Sequence, residues 1–287
     1  MTRAQAKEGL ARAGFAAAAG ICILAVALIC VFLFANGVPA ISEIGVADFL
    51  LGTKWKPGND IYGIFPMIVG SIYATAGAVI VGVPSGFLCA AFLSRFAGKG
   101  VGRFLSNGVE LLAGIPSVVY GFFALMVFVP FIRNNLPGKG MSLLAASLIL
   151  GIMILPTVIT VAKSALDAVP KRYYEGALAL GGDHERAVFG VVVPAAASGI
   201  LAGIVLGIGR AIGEAMAVMM VAGNSPNMPD SLFRSVTLLT TAIAKEMSYA
   251  GGLQRQALFS IALVLFAFIM LINVVLNVVL KGGNRDE

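Results

Sequence analysis

Arg210 and Glu214 stand four residues apart inside the apolar run 193–222. On an uninterrupted helix they share one face, about one turn apart, and can form an ion pair. A guanidinium is permanently charged and offers a planar fork that matches two oxygens of an oxyanion. A carboxylate beside it weakens retention and orients the fork, which a conduction route requires. Placing an arginine at the centre of a membrane helix costs about 2.5–3.5 kcal/mol, so such a residue faces a bundle interior or an aqueous path. The competing reading is a self-neutralising pair that only pins two helices together. Two more polar residues join the candidates for a substrate path. Glu110 lies three residues after Asn107, where a capping-box carboxylate sits at a helix start. Ser117 follows Gly114-Ile115-Pro116 and can offer its hydroxyl to a path or to a carbonyl freed by the proline. Other chemistry is missing from the sequence. There is no HExxH, and Cys22, Cys30 and Cys89 are dispersed, so neither a zinc site nor a disulfide framework is expected. His184 is the single histidine and reads as a solvated helix residue rather than a ligand.

These residues are carried by a very apolar chain. Of 287 residues 59% are hydrophobic and 12% charged, and the mean hydropathy is +0.95. Soluble domains carry about a quarter charged residues. The chain therefore reads as an all-α polytopic membrane protein, a six-transmembrane-helix bundle, with spans near 13–35, 64–93, 109–131, 143–162, 193–222 and 257–280. Counted from Pro194, Arg210 lies sixteen residues along, about 24 Å into the fifth span. The first apolar run is longer than the core of a cleavable signal and reads as a retained helix. Gly199, Gly203 and Gly207 repeat at spacing four, a face that packs either within the bundle or against a second subunit.

Sidedness follows from the basic residues. With a cytoplasmic amino terminus, Arg3, Lys7, Arg12, Arg95, Lys99, Arg103, Lys163, Lys171, Arg172, Arg186, Lys281 and Arg285 fall inside, twelve in all. Lys54, Lys56, Arg133, Lys139, Arg234, Lys245 and Arg255, seven, fall outside, and Arg210 lies within a span. The bias puts both termini and the polar insert 163–192 in the cytoplasm. The organisation is a segment 1–12, one transmembrane domain 13–280 and a tail 281–287. The net charge of +6 is topological, and nothing points to nucleic acid.

Within the insert, Pro170 is suited to a first helical position, Gly181-Gly182 to a left-handed stop, and Asp183 to the cap of a second helix running towards Pro194 and into the fifth span. The result is a helix, glycine elbow, helix unit projecting from the bilayer. Glu175-Gly176-Ala177, then Gly181, then Val191-Val192-Val193-Pro194 has the spacing of the EAA docking loop, and the insert resembles that loop in ABC importer permeases. Two longer stretches, Glu110 to Gly121 and Gly207 to Val218, resemble the permeases of the phosphate-specific transport (Pst) family. Gly52-Thr53-Lys54-Trp55-Lys56-Pro57, with Tyr62-Gly63 and Pro66, is more similar to the PstC than the PstA type. Ser71 and Ala215 replace threonines expected from the pattern.

The resemblance implies a type I importer permease (MetI-like) in a bacterial inner membrane, docking its ATPase through Glu175, Gly176, Ala177, Gly181 and Pro194. It implies a PstA-like permease as heterodimer partner, two copies of a PstB-like ATPase, a PstS-like external binding protein, and phosphate as substrate. No cofactor is expected on this chain: no G-x-x-x-x-G-K-[ST] loop occurs, so ATP and Mg belong to the partner ATPase and the chain is not an enzyme. The segments 36–63 and 223–256 exceed minimal turns and are expected to help receive the binding protein, with Trp55 and Tyr62 as membrane-interface anchors. The residues alone leave open a permease for another oxyanion, molybdate or sulfate, and more remotely a non-transport membrane protein.

Overall fold

The computed structural model describes residues 3–283. The last four residues of the expected tail, Arg285 among them, lie outside the described residues. Thirteen helices and one hairpin are present among the described residues: α1 Arg3–Ile44, α2 Val46–Leu51, strands β1 Trp55–Lys56 and β2 Ile61–Tyr62, α3 Phe65–Ala91, α4 Lys99–Gly114, α5 Ser117–Asn135, α6 Leu143–Ala168, α7 Lys171–Ala179, α8 His184–Ala187, α9 Val193–Ala195, α10 Ala197–Gly213, α11 Met216–Val221, α12 Leu239–Glu246 and α13 Gly252–Gly283. Single π turns, Phe92–Phe96 and Val188–Val192, follow α3 and α8.

Among the described residues five helices are long and apolar enough to cross a membrane, and the bent unit ending in α10 brings the number to six. The expected third and fifth spans are each broken. Pro116 has no amide hydrogen to donate and pushes Ile115 into extended backbone, so 109–131 divides into the amphipathic α4 and the apolar α5. In 193–222, α10 has only 17 residues, about 26 Å, and the short α11 follows it after a break at Glu214-Ala215.

The long helix α6 is the centre of the bundle, because small residues on both flanking helices let it come close. A Cβ at Gly82 of α3 would lie 2.6 Å from the Gly151 carbonyl oxygen of α6. On the other flank, a Cβ at Gly199 would lie 2.5 Å from the Cβ of Ala165, and Gly203 and Gly207 face Val161 and Val158. The four-spaced glycine stripe therefore meets α6 of the same chain. Of the two readings the sequence left open, packing within the bundle is the one observed.

At the end assigned to the outside, α2, the hairpin, α12 and the start of α13 close over an apolar cluster containing Phe49, Trp55, Tyr62, Ile64, Leu239 and Leu258. Trp55 pairs with Tyr62 across the hairpin, their ring centroids 5.5 Å apart and nearly perpendicular. Both are buried, 5% and 4% exposed, so they are core residues of this cap rather than interface anchors. The indole finds its hydrogen-bond partner inside: Trp55 Nε1 donates to the Glu246 carboxylate at 3.1 Å. Burial first, and then the neighbouring Asp60 carboxylate, push the Tyr62 phenol above its ordinary pKa, so it stays neutral. The cap is tied to the bundle by Ser71 of α3, whose hydroxyl accepts the Leu239 amide at 3.0 Å. Where the sequence pattern led to threonine, serine suffices for this bond.

Gly52 and Gly63 cross backbone to backbone, and a Cβ on Gly63 would lie 2.6 Å from the Gly52 Cα. Since the obstacle is main chain and cannot rotate away, Gly63→Ala is expected to cost about 1–3 kcal/mol in the cap. Fluorescence of Trp55, the only tryptophan, reports that cap directly. An unchanged thermal transition followed through Trp55 would refute the expectation.

Candidate functional site

Two regions carry the polar groups that a membrane bundle does not need for packing. The first is the broken fifth span. Arg210 occupies the last turn of α10, thirteen residues or about 20 Å along the helix, and is half-buried. Glu214 is extended, with φ −74° and ψ 128°, and lies beyond the helix end. The break separates what an intact helix would have paired. No ion pair joins Arg210 to Glu214; among the described residues the pairs are Lys163–Asp167 and Arg234–Asp230. The expected pair is thus corrected, and the physical reason is the loss of helical register after Gly213.

Glu214 works on the backbone instead. Its carboxylate accepts the Ala217 amide at 3.1 Å, satisfying one free N–H of the first turn of α11. Its carbonyl accepts the Thr240 hydroxyl at 2.9 Å, which ties the break to α12. Both bonds favour an interrupted helix over a continuous one, and they leave the Arg210 guanidinium without a side-chain carboxylate partner among the described residues.

The break in the third span lies against the same region. Gly121 of α5 packs on α11, where a Cβ would come 2.8 Å from Ala217 Cα. Tyr120 lies within electrostatic reach of Arg210, and its hydroxyl donates to the Leu112 carbonyl at 2.8 Å. That bond repairs the carbonyl freed by Pro116, the task the sequence reading offered to Ser117. Ser117 is the first residue of α5, and its hydroxyl makes no hydrogen bond among the described residues. Tyr120 was missed in the sequence, although a hydroxyl-bearing aromatic four residues after a proline is the available signal.

Glu110 is not at a helix start. The amphipathic run that buries Leu105 and Val109 carries α4 continuously from Lys99 through Asn107, so packing overrides the local cap preference. Glu110 lines a separate cleft of about 240 Å3 with Ser106, Thr160, Lys163 and Ser164, and none of Arg210, Glu214 or Ser117 lines it. The structure therefore sets α11, which follows the Glu214 break, against α5 at Gly121, shows no hydrogen bond or ion pair joining Arg210, Glu214 and Ser117 among the described residues, and leaves Glu110 in a cleft of its own.

The second region is the projecting unit. Pro170 caps α7 rather than opening it, one residue from the expected place. The helix ends in a Schellman motif: Gly182 N–H donates to the Ala177 carbonyl at 3.1 Å and Gly181 N–H to that of Leu178 at 2.9 Å. Gly181 supplies the left-handed residue at φ +87°. Asp183 caps α8 by accepting the Arg186 amide at 2.7 Å, as expected. The chain continues through the π turn Val188–Val192 to α9, which holds Pro194, and then bends by 70° into α10. Glu175, Gly176, Gly181 and Pro194 are exposed and Ala177 half-buried. Leu180, at the elbow, is 91% exposed, an apolar side chain offered at the tip of a polar unit.

His184 is not simply solvated. Tyr174 Oη and His184 Nδ1 are hydrogen-bonded at 2.7 Å, which locks α7 to α8. The imidazole also meets the Phe96 ring edge-on, with centroids 4.5 Å apart.

Residues 82–282 match the family model described as "Binding-protein-dependent transport system inner membrane component". The chain is 38% identical over 267 residues to "Probable ABC transporter permease protein YqgH" of Bacillus subtilis, covering 89% of this chain and 86% of that protein. It is 35% identical over 239 residues to "Phosphate transport system permease protein PstC" of Haemophilus influenzae, with 76% of each covered. Among solved structures, the fold is shared with a chain of the MetNI methionine ABC transporter in an inward-facing conformation, at a TM-score of 0.58 and 19% identity over 78% of this chain and 95% of that one.

Proposed function

The chain belongs to the family of binding-protein-dependent transport system inner membrane components, and from that premise we propose that it is the PstC-like permease subunit of an ATP-driven importer of inorganic phosphate. The observation that carries the substrate reading is Arg210, a half-buried guanidinium in a membrane-spanning helix with no ion-pair partner among the described residues. An unpaired cation there is costly unless an anion visits it. The phosphate named for the PstC relatives supports the same substrate.

In this reading Arg210 holds two phosphate oxygens in passing, and Glu214 keeps the helix broken so that the fork stays free. Ser117, at the neighbouring helix start, offers a hydroxyl to the same anion. Glu110 belongs to a different stretch of the route, the cleft beside Lys163. The unit from Lys171 to Pro194 docks on a separate ATPase that binds ATP and Mg. Glu175 leads its exposed face, and Leu180 inserts as an apolar knob. The partners are a PstA-like permease, two copies of a PstB-like ATPase and a PstS-like binding protein that lands on the outer cap. The membrane is the bacterial inner membrane, with both termini cytoplasmic.

Uptake of radiolabelled phosphate by vesicles containing the complete reconstituted complex tests this function. Phosphate accumulation that requires ATP and outcompetes molybdate and sulfate is the expected result. Accumulation of molybdate or sulfate in preference to phosphate would overturn the substrate.

A further inference from the structure

We propose that the π turn Phe92–Phe96 is the joint through which the projecting unit moves the bundle, with Phe96 and His184 as positioning residues. The inference rests on the docking role of α7 to α9 given above. Two covalent routes lead from that unit into the bundle: back to α6 through the extended pair Val169-Pro170, and on to α10 through Ala196, at φ −95° and ψ 1°, where the chain turns by 70°. A bend of this kind absorbs motion. A lever needs side-chain contacts beyond these backbone hinges.

Three consecutive residues of the π turn supply them. Ser94 Oγ is hydrogen-bonded to the Asp167 carboxylate at 2.5 Å, and Asp167 is in turn paired with Lys163 at 2.7 Å. The Arg95 guanidinium donates to the Leu166 carbonyl at the end of α6. Phe96 faces the other way and meets His184 edge-on at 4.5 Å, with Phe189 beyond it at 6.2 Å. Under them Leu93 is buried in one apolar cluster with Leu166, Val169 and Val192. The turn thus grips the central helix with its polar residues and the docking unit with an aromatic one. His184 completes the grip, since its other contact, the Tyr174 hydroxyl, holds α7 and α8 together. Displacing the docking unit must then displace the inner ends of α3 and α6 with it.

Two features suit this turn to movement. A π turn carries one residue more than the helix needs, and such insertions concentrate at functional positions. Arg95 Nε is buried with no hydrogen-bond partner among the described residues, a group that a second arrangement of the turn can satisfy.

The test uses the complete complex in vesicles, scoring retained ATPase, ATP hydrolysis and phosphate taken up per ATP. Phe96→Ala is expected to keep the ATPase bound and hydrolysing while phosphate per ATP falls about tenfold, the loss of one edge-on aromatic contact and the order it imposes. Phe96→Tyr is expected to restore the ratio. An unchanged ratio in Phe96→Ala, or loss of the ATPase from that complex, overturns the joint. A second measurement is independent of substrate. Spin labels on Ala179→Cys and Gly98→Cys, in a chain with Cys22, Cys30 and Cys89 changed to Ser, report the distance across the joint; both sites are exposed, and a Cβ at Gly98 meets nothing within 4 Å. The expected result is one narrow distance, unmoved by ATP, that broadens in Phe96→Ala. A distance that shifts with ATP in the Phe96 protein overturns the proposal. If this distance behaves as expected while no phosphate accumulates, the joint stands and the substrate reading falls.

Discussion

Arg210→Gln is expected to lower phosphate uptake about 10- to 100-fold while the complex still assembles, because it removes charge-assisted hydrogen bonds to the anion. Arg210→Lys recovers only part, having charge without the fork. The structure sharpens what Glu214 should do. With no ion pair to break, Glu214→Gln strands no buried charge, and its amide oxygen can still accept the Ala217 N–H. That variant should transport measurably, and adding it to Arg210→Gln should rescue nothing. A double variant that regains uptake lost in Arg210→Gln would restore the paired reading and remove Arg210 from the path.

The second large effect lies at the other end of the molecule. Gly181→Asp and Glu175→Lys are expected to abolish phosphate uptake while leaving expression and membrane insertion unchanged. A Cβ at Gly181 meets nothing within 4 Å, so the substitution strains only the left-handed backbone, by about 1–2 kcal/mol. Aspartate tolerates that conformation better than most residues. The loss must therefore come from what the exposed elbow touches on the ATPase. Uptake at the native rate by a well-expressed Gly181→Asp chain would remove the docking role. Leu180→Ser should weaken ATPase retention in the same assay, as the elbow loses its one strongly exposed apolar side chain.

How much of this was legible in the sequence depended on the range of the physics involved. In the projecting unit the first helix, the elbow and the second cap were read to within a residue or so, because their signals are local: a proline before a helix, a glycine suited to φ +87°, an aspartate three residues before the amide it caps; the π turn and the 70° bend that interrupt the expected run into the fifth span left no such signal. The spans were legible because burial in lipid is a property of composition. Errors began where a local preference competed with a distant contact. Asn107 looked like a cap, but the buried face of α4 carried the helix through it. Trp55 and Tyr62 looked like surface anchors, but α12 and α13 cover them. Arg210 and Glu214 looked paired because four-residue spacing was read on an unbroken helix. The bonds that stabilise the break come from Ala217, a local partner, and from Thr240, 26 residues away. His184 offered no signal at all, since its role depends on Phe96, which belongs to another helix.

The tryptophan of the outer cap also sets a schedule for biosynthesis. Trp55 and its carboxylate partner Glu246 are 191 residues apart in the chain. At roughly 5–20 residues per second, some 10 to 40 s pass between synthesis of the hairpin and arrival of the residues that roof it. Until then the indole has neither its hydrogen-bond acceptor nor the cover of α12 and α13, although five of the six crossings precede α12 in the chain. A chain that stops before α12 is left with this hairpin uncovered, its one tryptophan exposed.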